Sequence, residues 1–371
     1  MRKLLGLTLV LSGIACGGGG GEPPGDDAGR SPTDAAHGVD APGHDAFVAT
    51  TDVGTDAASA CGHCPDGTTC GTANGIAVCR TASGIPRFTS VTVIVMENTS
   101  LSTLSGATNT PYLTGLAATA ATASDYHGAT HPSMPNYLAL TSGMDSSHIG
   151  CDCDPMGSAC SSFTCNTLIH SCGCPQTVMH IGDQLDAAGL PWRDYGEDMG
   201  DACNTTTAGS YAARHVPFLY YDNVQSNAAR CAMRVVDYDL FDPVADPQAF
   251  AFIAPNLTDD MHDPFPAGST NLANGDTWLA SNVPPILAAP SYTSAGLLII
   301  VWDEDDLSGV LAPDDPIPLF VLSPFAKDGG FVSSVHANHY SLLATIEDGL
   351  GLPRLGLASS AQPLSDFFPA D

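Results

Sequence analysis

The sequence predicts an α/β fold, a three-layer sandwich whose central sheet is mainly parallel. Four short runs are almost entirely apolar, as expected of strands covered on both faces. They are VTVIVM (91–96), AFAFIAP (249–255), GLLIIVW (296–302) and IPLFVL (317–322). The segments between them carry apolar residues at the three- and four-residue spacing of helices. Strands that alternate with helices form βαβ units, which build parallel sheets.

The helices are predicted in the segments that separate the strands. These segments are PYLTGLAATA (111–120), VMHIGDQLDAAGL (178–190), DTWLASNVPPIL (276–287) and HYSLLATIEDGLGL (339–352). No repeat of solenoid length is visible in the sequence. We therefore interpret residues 85–371 as one domain, which is within the upper normal range of size.

Residues 1–16 have the pattern of an export signal. Arg2 and Lys3 precede an apolar run over 4–15, which is too short to cross about 30 Å of hydrocarbon. The run ends at Cys16 and a glycine tract follows, which resembles the cleavage site of bacterial lipoproteins, where that Cys is diacylated and becomes the mature N-terminus. We predict an exported protein held at a membrane of the cell envelope by lipid on Cys16. Ordinary cleavage beside an unmodified Cys is the alternative.

Residues 17–60 consist mainly of Gly, Pro, Ala and Asp and contain few large apolar side chains. Such a segment buries too little apolar surface to offset its conformational entropy. We predict a disordered, acidic tether, extended by the repulsion between its carboxylates.

The chain has 13 Cys residues, which predicts disulfides formed in an oxidising compartment. Apart from Cys16 the chain has 12 Cys residues, an even number, as complete pairing requires. They are Cys61, Cys64, Cys70 and Cys79 in a small module over 61–80, Cys151, Cys153, Cys160, Cys165, Cys172 and Cys174 in one loop, and Cys203 and Cys231. We predict two disulfides in the module, although the spacing of its first two Cys residues also suits zinc. We interpret the loop with six Cys residues as a surface segment that is cross-linked by disulfides.

The charge of the chain excludes one class of partner. There are 40 acidic residues against 11 basic ones, and the formal net charge is −29. Since nucleic-acid affinity depends on cationic side chains that replace counterions, nucleic acid is excluded as a partner. No feature of the sequence indicates an obligatory protein partner.

Acidic residues follow three of the predicted strands. Glu97 and Asn98 follow the first, the segment PNLTDDMHD follows the second, and Asp303 and Glu304 follow the third. In open parallel sheets, ligands bind beyond the carboxyl ends of strands. Carboxylates that converge there repel one another unless a cation lies between them, which favours a hard divalent metal ion. Solvated strand ends or helix N-caps are the alternative for any one of these residues.

The segment HPSMPNYLALTSG offers a nucleophile. Ser133 lies between two prolines at what is predicted to be the first turn of a helix, where Pro is tolerated and backbone N–H groups point towards an anion. A metal ion beside it would activate the Ser133 hydroxyl. The alternative is a simple N-cap with Asn136 exposed.

Eight segments in order resemble the phosphoesterase family of bacterial acid phosphatases and phospholipases C, in the alkaline phosphatase superfamily. They are VIVMENTS, THPSMPNYLALTSG, LDAAGLPWRDYGEDM, ARHVPFLYYDNV, PNLTDDMHD, GDTWL, LLIIVWDEDD and HYSLLATIEDGLGLP. The resemblance extends from about residue 91 to residue 357. It implies an alkaline-phosphatase-like fold and makes 85–371 the catalytic domain.

The resemblance also implies roles for individual residues. Glu97, Asn98, Asp303 and Glu304 match the metal ligands of the family, for one or two divalent ions of unknown identity. Ser133 matches the residue that is phosphorylated during turnover, and His262 matches a histidine that contacts phosphate or protonates the leaving group.

Further positions are assigned supporting or substrate-binding roles by the same resemblance. They are Asp260 and Asp263 beside His262, His215 and His339 lining the site, Asn136, and His131, which either lines the pocket or packs at the helix start. We interpret His127 and His336 as incidental.

These observations predict an exported, lipid-anchored, metal-dependent phosphatase that hydrolyses phosphate monoesters through a phosphoserine on Ser133. A phospholipase C that cleaves phosphodiesters with the same residues is one alternative. A non-catalytic, Cys-rich binding lipoprotein of the cell surface is another. A sulfatase is disfavoured because the sequence has no CxPxR-type motif.

Overall fold

A computed structural model of the chain describes residues 61–145, 152, 154–155, 175–262, 271–306, 315–327 and 329–370. These residues belong to one compact unit, 60–371. The export signal with Cys16, the tether, the loop with six Cys residues and Asp263 lie outside the described residues, so what we predict for them stays a prediction. In the described part of the chain, no helix has both the length and the apolar character needed to cross a membrane.

The described strands are assigned in chain order. They are β1 (Thr68–Ala73), β2 (Ile76–Thr81), β3 (Ser90–Met96), β4 (Ala121–Ala123), β5 (Tyr126–His127), β6 (Trp192–Gly196), β7 (Val235–Asp237), β8 (Phe250–Ala254), β9 (Gly296–Trp302), β10 (Leu319–Leu322), β11 (Val332–Ser333) and β12 (Ala337–Asn338). Eight of them form the main sheet, in the order β11-β4-β10-β9-β3-β8-β6-β7.

The main sheet is mostly parallel. The five strands from β9 to β7 all run in the same direction, and β10 is antiparallel to both of its neighbours. Every residue of β8 and β9 is buried, which requires cover on both faces of the sheet. The predicted α/β class and all four predicted strands are confirmed.

The helices flank these strands. They are α1 (Leu101–Gly106), α2 (Pro111–Leu116), α3 (Ser133–Ser142), α4 (Ile181–Ala188), α5 (Asp222–Gln225), α6 (Ala228–Arg234), α7 (Asn271–Ala288), α8 (Pro290–Ala295) and α9 (His339–Leu350). Single turns of 3₁₀ helix occur at Ala213–His215, Pro217–Tyr220, Tyr238–Leu240, Gly356–Ser359 and Ser365–Phe367. The four predicted helices are present, although α2 ends before residue 120 and α7 begins before residue 276.

Two buried helices, α3 and α9, pack against each other. All ten residues of α3 are buried. Each helix ends at a glycine with a left-handed backbone, Gly143 at φ 65° and Gly351 at φ 73°, a conformation that lacks the usual steric cost because Gly has no Cβ. The Asn338 side chain caps the start of α9 by accepting hydrogen bonds from the N–H groups of Tyr340 and Ser341. These caps fix the C-terminal ends of both helices and the start of α9.

The Cys-rich module is a hairpin of β1 and β2 stapled by two disulfides, Cys61–Cys70 and Cys64–Cys79. The predicted pair of disulfides is confirmed, and all four sulfurs are used in them rather than in a zinc site. The Asn74 side chain attaches the hairpin to the rest of the unit by donating to the carbonyls of Pro324 and Ala326, at 3.1 and 2.6 Å. A further disulfide joins Cys203 to Cys231. Disulfides of this kind indicate an oxidising compartment.

Candidate active site

The residues that follow β3 and β9 lie side by side, because the two strands are parallel neighbours with Met96 opposite Trp302. The backbone N–H of Asn98 donates to Asp303 Oδ1 at 3.0 Å, and the Asn98 side chain donates to Glu304 Oε1 at 2.9 Å. The predicted convergence of these strand ends is therefore present in the structure.

Ser133 lies at the centre of this group. It is the first residue of α3, and its hydroxyl donates to Glu97 Oε2 at 2.9 Å. Glu304 Oε1 and Asn98 Oδ1 are each 3.3 Å from the same hydroxyl. The structure thus brings a helix N-terminus, a hydroxyl and the two strand ends to one place.

The segment before Ser133 is held by Asn136. Asn136 Oδ1 accepts hydrogen bonds from the N–H groups of Ala129 and Thr130, and its Nδ2 donates to the carbonyls of Thr130 and Pro132. The Asn136 side chain is fully buried, so the alternative of an exposed Asn136 is wrong. Its role is to shape the loop that ends at Ser133.

A glycine allows this loop to approach the second strand end. A Cβ on Gly128 would lie 3.0 Å from the carbonyl oxygen of Asp303 and 3.4 Å from Asn136 Oδ1. Any larger residue at this position would push the loop away from Asp303.

The carboxylates of the site are buried together. Burial raises the pKa of Glu97 well above its usual value, and the nearby charges of Asp303 and Asp260 raise it further. Burial also raises the pKa of Asp303, with the charge of Glu304 as the next cause. For Glu304, burial raises the pKa and a hydrogen bond with His131 partly offsets the rise.

Such a set of buried oxygens fits a hard divalent cation. Asp303 Oδ2 is buried and accepts no hydrogen bond from the described residues. Carboxylate, amide and hydroxyl oxygens are the donors preferred by ions such as Mg²⁺ and Ca²⁺, whose charge would relieve the repulsion among the acids. The side chains available for this purpose are those of Glu97, Asn98, Ser133, Asp303 and Glu304.

Backbone strain occurs beside these groups. Asn98 has a φ of 30° and Met261 a φ of 77°, and non-glycine residues seldom adopt this region. Both residues follow strands of the parallel part of the sheet, β3 and β8. Strain that the surrounding fold maintains is concentrated at functional sites.

His215 is buried between two of the acids. Its Nε2 is 3.3 Å from Glu97 Oε1, its Nδ1 is 3.7 Å from Asp260 Oδ2, and its ring stacks on Tyr137. Burial lowers the pKa of His215 well below its usual value, and the neighbouring charges of Arg214 and His262 lower it further. A neutral imidazole at this position lies between Glu97 and Asp260 without offsetting their negative charge.

His131 and His339 contact the same strand end from two directions. His131 Nδ1 is 2.5 Å from Glu304 Oε2, and its side chain is partly exposed. His339 is fully buried, with Nε2 2.6 Å from the carbonyl oxygen of Asp303 and Nδ1 3.0 Å from the Tyr126 hydroxyl. His131 therefore contacts the carboxylate of Glu304, and His339 binds the backbone of Asp303 from a fully buried position.

The segment after β8, which contains Asp260 and His262, also contacts the residues at the strand ends. The backbone carbonyl of Asp260 accepts the N–H of Glu97 at 2.7 Å, and Asp260 Oδ1 accepts the N–H of His262 at 2.9 Å. His262 is partly buried, and its charge influences the pKa values of His215 and Asp152. Asp263 is not among the described residues.

With this geometry in place, the comparisons with known proteins identify the family. The sequence model of the Phosphoesterase family matches residues 95–353. The chain belongs to the Phosphoesterase family. The resemblance found in the sequence is confirmed, and a chain of this family is a phosphoric ester hydrolase.

Similar proteins of the phosphoesterase group are phosphatases. A phosphatidylinositol-3-phosphatase of Mycobacterium tuberculosis is 30% identical over 294 residues, which are 77% of this chain and 85% of that protein. A probable acid phosphatase of Kluyveromyces lactis is 29% identical and an acid phosphatase of Aspergillus fumigatus is 28% identical, over 71% and 62% of this chain. The matches cover 58% and 48% of these two fungal proteins.

Two of the similar solved structures are the following. A protein of the alkaline phosphatase superfamily from Vibrio parahaemolyticus is 13% identical, with a TM-score of 0.46 over 73% of this chain and 68% of that one. Murine ectonucleotide pyrophosphatase/phosphodiesterase 5 is also 13% identical, with a TM-score of 0.47 over 76% of this chain and 100% of that one.

The phosphoesterase site contains residues that the sequence reasoning missed. The Tyr137 hydroxyl donates to Glu97 Oε1 at 2.6 Å, and its position four residues after Ser133 on a helix could have revealed it. Asp152 Oδ1 accepts the N–H of Met134 at 2.9 Å, and the charge of Arg214 influences the pKa of Asp152. No sequence pattern links Asp152 or Arg214 to the strand ends.

Proposed function

We propose that this phosphoesterase is a metal-dependent phosphatase that hydrolyses phosphate monoesters through a phosphoserine on Ser133. The observation that carries the proposal is the position of the Ser133 hydroxyl, at the N-terminus of α3 and within 3.3 Å of Glu97, Asn98 and Glu304. The phosphatase activity named for the relatives from Mycobacterium tuberculosis and Aspergillus fumigatus supports a monoester substrate.

The nucleophile is positioned before substrate binds. The hydroxyl of Ser133 already donates to Glu97 Oε2, and the Tyr137 hydroxyl donates to the other carboxylate oxygen of Glu97. Ser133 would attack phosphorus in line, and the bond to the leaving alcohol would break. The proton of the Ser133 hydroxyl has an acceptor at hydrogen-bond distance in Glu97.

The N-terminus of α3 would bind the oxygens of the phosphoryl group. Backbone N–H groups and the helix dipole favour an anion at this end of a helix. The N–H of Met134 in fact donates to a carboxylate oxygen, that of Asp152. A phosphate oxygen with the same preference for an N–H donor would take the place of this carboxylate during turnover.

His262 is the proposed donor of a proton to the leaving group. It is a partly buried histidine beside Asp152 and His215, and the hydrogen bond from its backbone to Asp260 fixes its position. A second step with water would hydrolyse the phosphoserine and return the proton to Ser133.

A divalent cation is proposed to be held by Glu97, Asn98, Ser133, Asp303 and Glu304. When bound, such an ion lowers the pKa of a hydroxyl next to it and neutralises charge that develops on phosphoryl oxygens. The acids repel one another in its absence, and the ion that they hold would attract an anionic substrate.

We extend the proposal to the parts outside the described residues. Residues 1–16 would direct export, lipid on Cys16 would attach the chain to a membrane of the cell envelope, and 17–60 would tether the catalytic domain, 85–371. The disulfides of the described part are consistent with an exported protein.

The test compares three substrates with purified full-length protein. We expect hydrolysis of p-nitrophenyl phosphate in the presence of Mg²⁺, Ca²⁺ or Mn²⁺, loss of activity with a chelator, and recovery when metal is returned. Bis-p-nitrophenyl phosphate and phosphatidylcholine serve as diester substrates. Faster hydrolysis of the diesters would replace the proposal by a phospholipase C, and the absence of hydrolysis with every metal would favour the binding lipoprotein.

A further inference from the structure

We propose that Asp125, His127 and His336 form a second metal site, distinct from the active site, that binds a transition-metal cation of the zinc class. These residues border the two-stranded ladder of β5 and β12, outside the main sheet. The inference is independent of the proposed function.

The three side chains already face one another. His127 Nε2 is 2.8 Å and His336 Nδ1 is 3.4 Å from the same oxygen, Asp125 Oδ1. The two imidazole rings are 5.1 Å apart, and one donor atom from each of the three residues lies within 4.8 Å of the others. Donors around a tetrahedral zinc ion are about 3.3 Å apart, given metal–ligand distances of about 2.0–2.2 Å, so only small side-chain rotations separate this arrangement from a coordinated one.

The backbone holds the ligands in register although they are distant in sequence. β5 and β12 are parallel, with Ala337 opposite Tyr126 and Asn338 opposite His127. The N–H of Ala337 also donates to the carbonyl of Asp125 at 3.0 Å. The chain on both sides of the three ligands is therefore fixed without any metal, which reduces the entropic cost of forming the site.

The donor set selects a different kind of ion from that of the active site. Two imidazole nitrogens with one carboxylate suit Zn²⁺ and its transition-metal neighbours, whereas Mg²⁺ and Ca²⁺ prefer oxygen alone. The hydrogen bond from His127 lowers the pKa of Asp125, so the carboxylate is ionised and ready to act as a ligand. Three protein ligands leave the fourth position of a tetrahedral ion to water.

An ion at this place would join two segments that lead into the active site. After His127 the chain continues through Gly128, which lies against Asp303, to Ser133. After His336 it continues to His339, which binds the carbonyl oxygen of Asp303. The ion would therefore stabilise the segments that position Ser133 and Asp303 without touching substrate.

The proposal is tested by calorimetric titration of zinc into the full chain after bound metal has been removed. The titration is made in an Asp303→Asn background, which weakens binding at the active site. We expect His336→Ala to weaken zinc binding by about 100-fold or more, because it removes one of three ligands. The matched control His63→Ala replaces an exposed histidine elsewhere and should leave the affinity unchanged. The His336 side chain is 69% exposed, so its removal leaves the packing of the domain intact.

A second measurement locates the ion directly. In crystals of the wild-type chain grown with zinc, anomalous diffraction at the zinc edge should show a peak between Asp125, His127 and His336. Zinc peaks confined to other parts of the molecule would overturn the proposal. Unchanged zinc affinity in the His336→Ala chain would do the same.

Discussion

The protein buries carboxylates in two different ways. Four of them, Glu97, Asp260, Asp303 and Glu304, form a strand-end cluster beside Ser133, in which the charges of the other three raise the pKa of Glu97. Asp194 in β6 and Glu347 in α9 are buried outside this cluster. Asp194 accepts the N–H of Phe218 at 3.2 Å, and Glu347 accepts the N–H of Leu355 at 2.9 Å.

Burial raises the pKa in both groups, so a raised pKa does not by itself identify a functional site. For Asp194 burial is the cause of the rise, and a backbone N–H opposes it. In the strand-end cluster, neighbouring carboxylates increase the pKa of Glu97 and Asp303 beyond the effect of burial. Convergence of acids on one hydroxyl distinguishes the active site from acids that serve packing. The predictions below test this distinction.

The largest effect is expected for Ser133→Ala. Loss of the attacking oxygen should lower kcat by about 10³-fold to 10⁶-fold, in the range found when a nucleophile is removed from other enzymes. Acid quenching during turnover should trap phosphoserine in the wild-type chain only. Ser142→Ala, at the other end of α3, is the control because its hydroxyl donates to the carbonyl of Leu138 and accepts the N–H of Met144, and neither partner belongs to the strand-end cluster. Retention of full turnover by Ser133→Ala would refute the assignment of the nucleophile.

A contrast between Asp303→Asn and Asp194→Asn should separate the two groups of acids. Asp303→Asn keeps an oxygen for the N–H of Asn98 but removes a charge from the strand-end cluster. We expect metal affinity to fall by about 100-fold or more, and activity to fall with it. The thermal stability of the metal-free protein at pH 8 should rise, because the repulsion among the remaining carboxylates is weaker. Asp194→Asn should leave activity and metal affinity unchanged. Equal activity losses in both variants would contradict the distinction.

The smallest effect is a pH-dependent change in stability at Glu347. Burial raises the pKa of Glu347 to about 8, above the ordinary value of 4.5 that applies to the unfolded chain. The folded state therefore binds the proton more tightly, and its stability falls as the pH rises from 4.5 through 8, by at most about 1.4 kcal/mol per pH unit. Glu347→Gln should remove this pH-dependent loss of stability.

The difference in Tm between Glu347→Gln and the wild-type chain should therefore grow between pH 5 and pH 8, with activity at a fixed pH unchanged. Differential scanning calorimetry across this range measures it. A constant difference in Tm would show that Glu347 does not change its protonation on unfolding.

The sequence predicted the centre of the fold better than its edges. β3, β8, β9 and β10 are apolar because both faces are covered, and this pattern is visible without a structure. β6 has the sequence WRDYG and β7 has VVD, so neither shows an apolar run of predictive length. Tertiary packing makes them strands: β6 pairs with β8, and burial of Trp192 and Tyr195 stabilises it.

In the candidate active site, too, the residues next to apolar strands were the ones that the sequence could predict. Glu97, Asn98, Asp303 and Glu304 directly follow apolar strands, so their convergence could be inferred from chain order. Asp152 lies in an irregular segment and Arg214 in a single turn of 3₁₀ helix, and only the three-dimensional path of the chain brings them close to each other beside the start of α3. The pairing of β5 with β12 brings His127 and His336 together from positions more than 200 residues apart, and no local sequence pattern indicates such a pairing.

The complete burial of α3 has a consequence for how this protein loses activity. A helix with solvent on one side can fray and re-form while the rest of a domain stays folded. Since every residue of α3 is covered, its amide protons should exchange with solvent only when the whole domain opens. The residue that starts this helix is Ser133, so we expect the proposed nucleophile to keep its position until the domain unfolds. Loss of hydrolase activity on heating should then coincide with global unfolding.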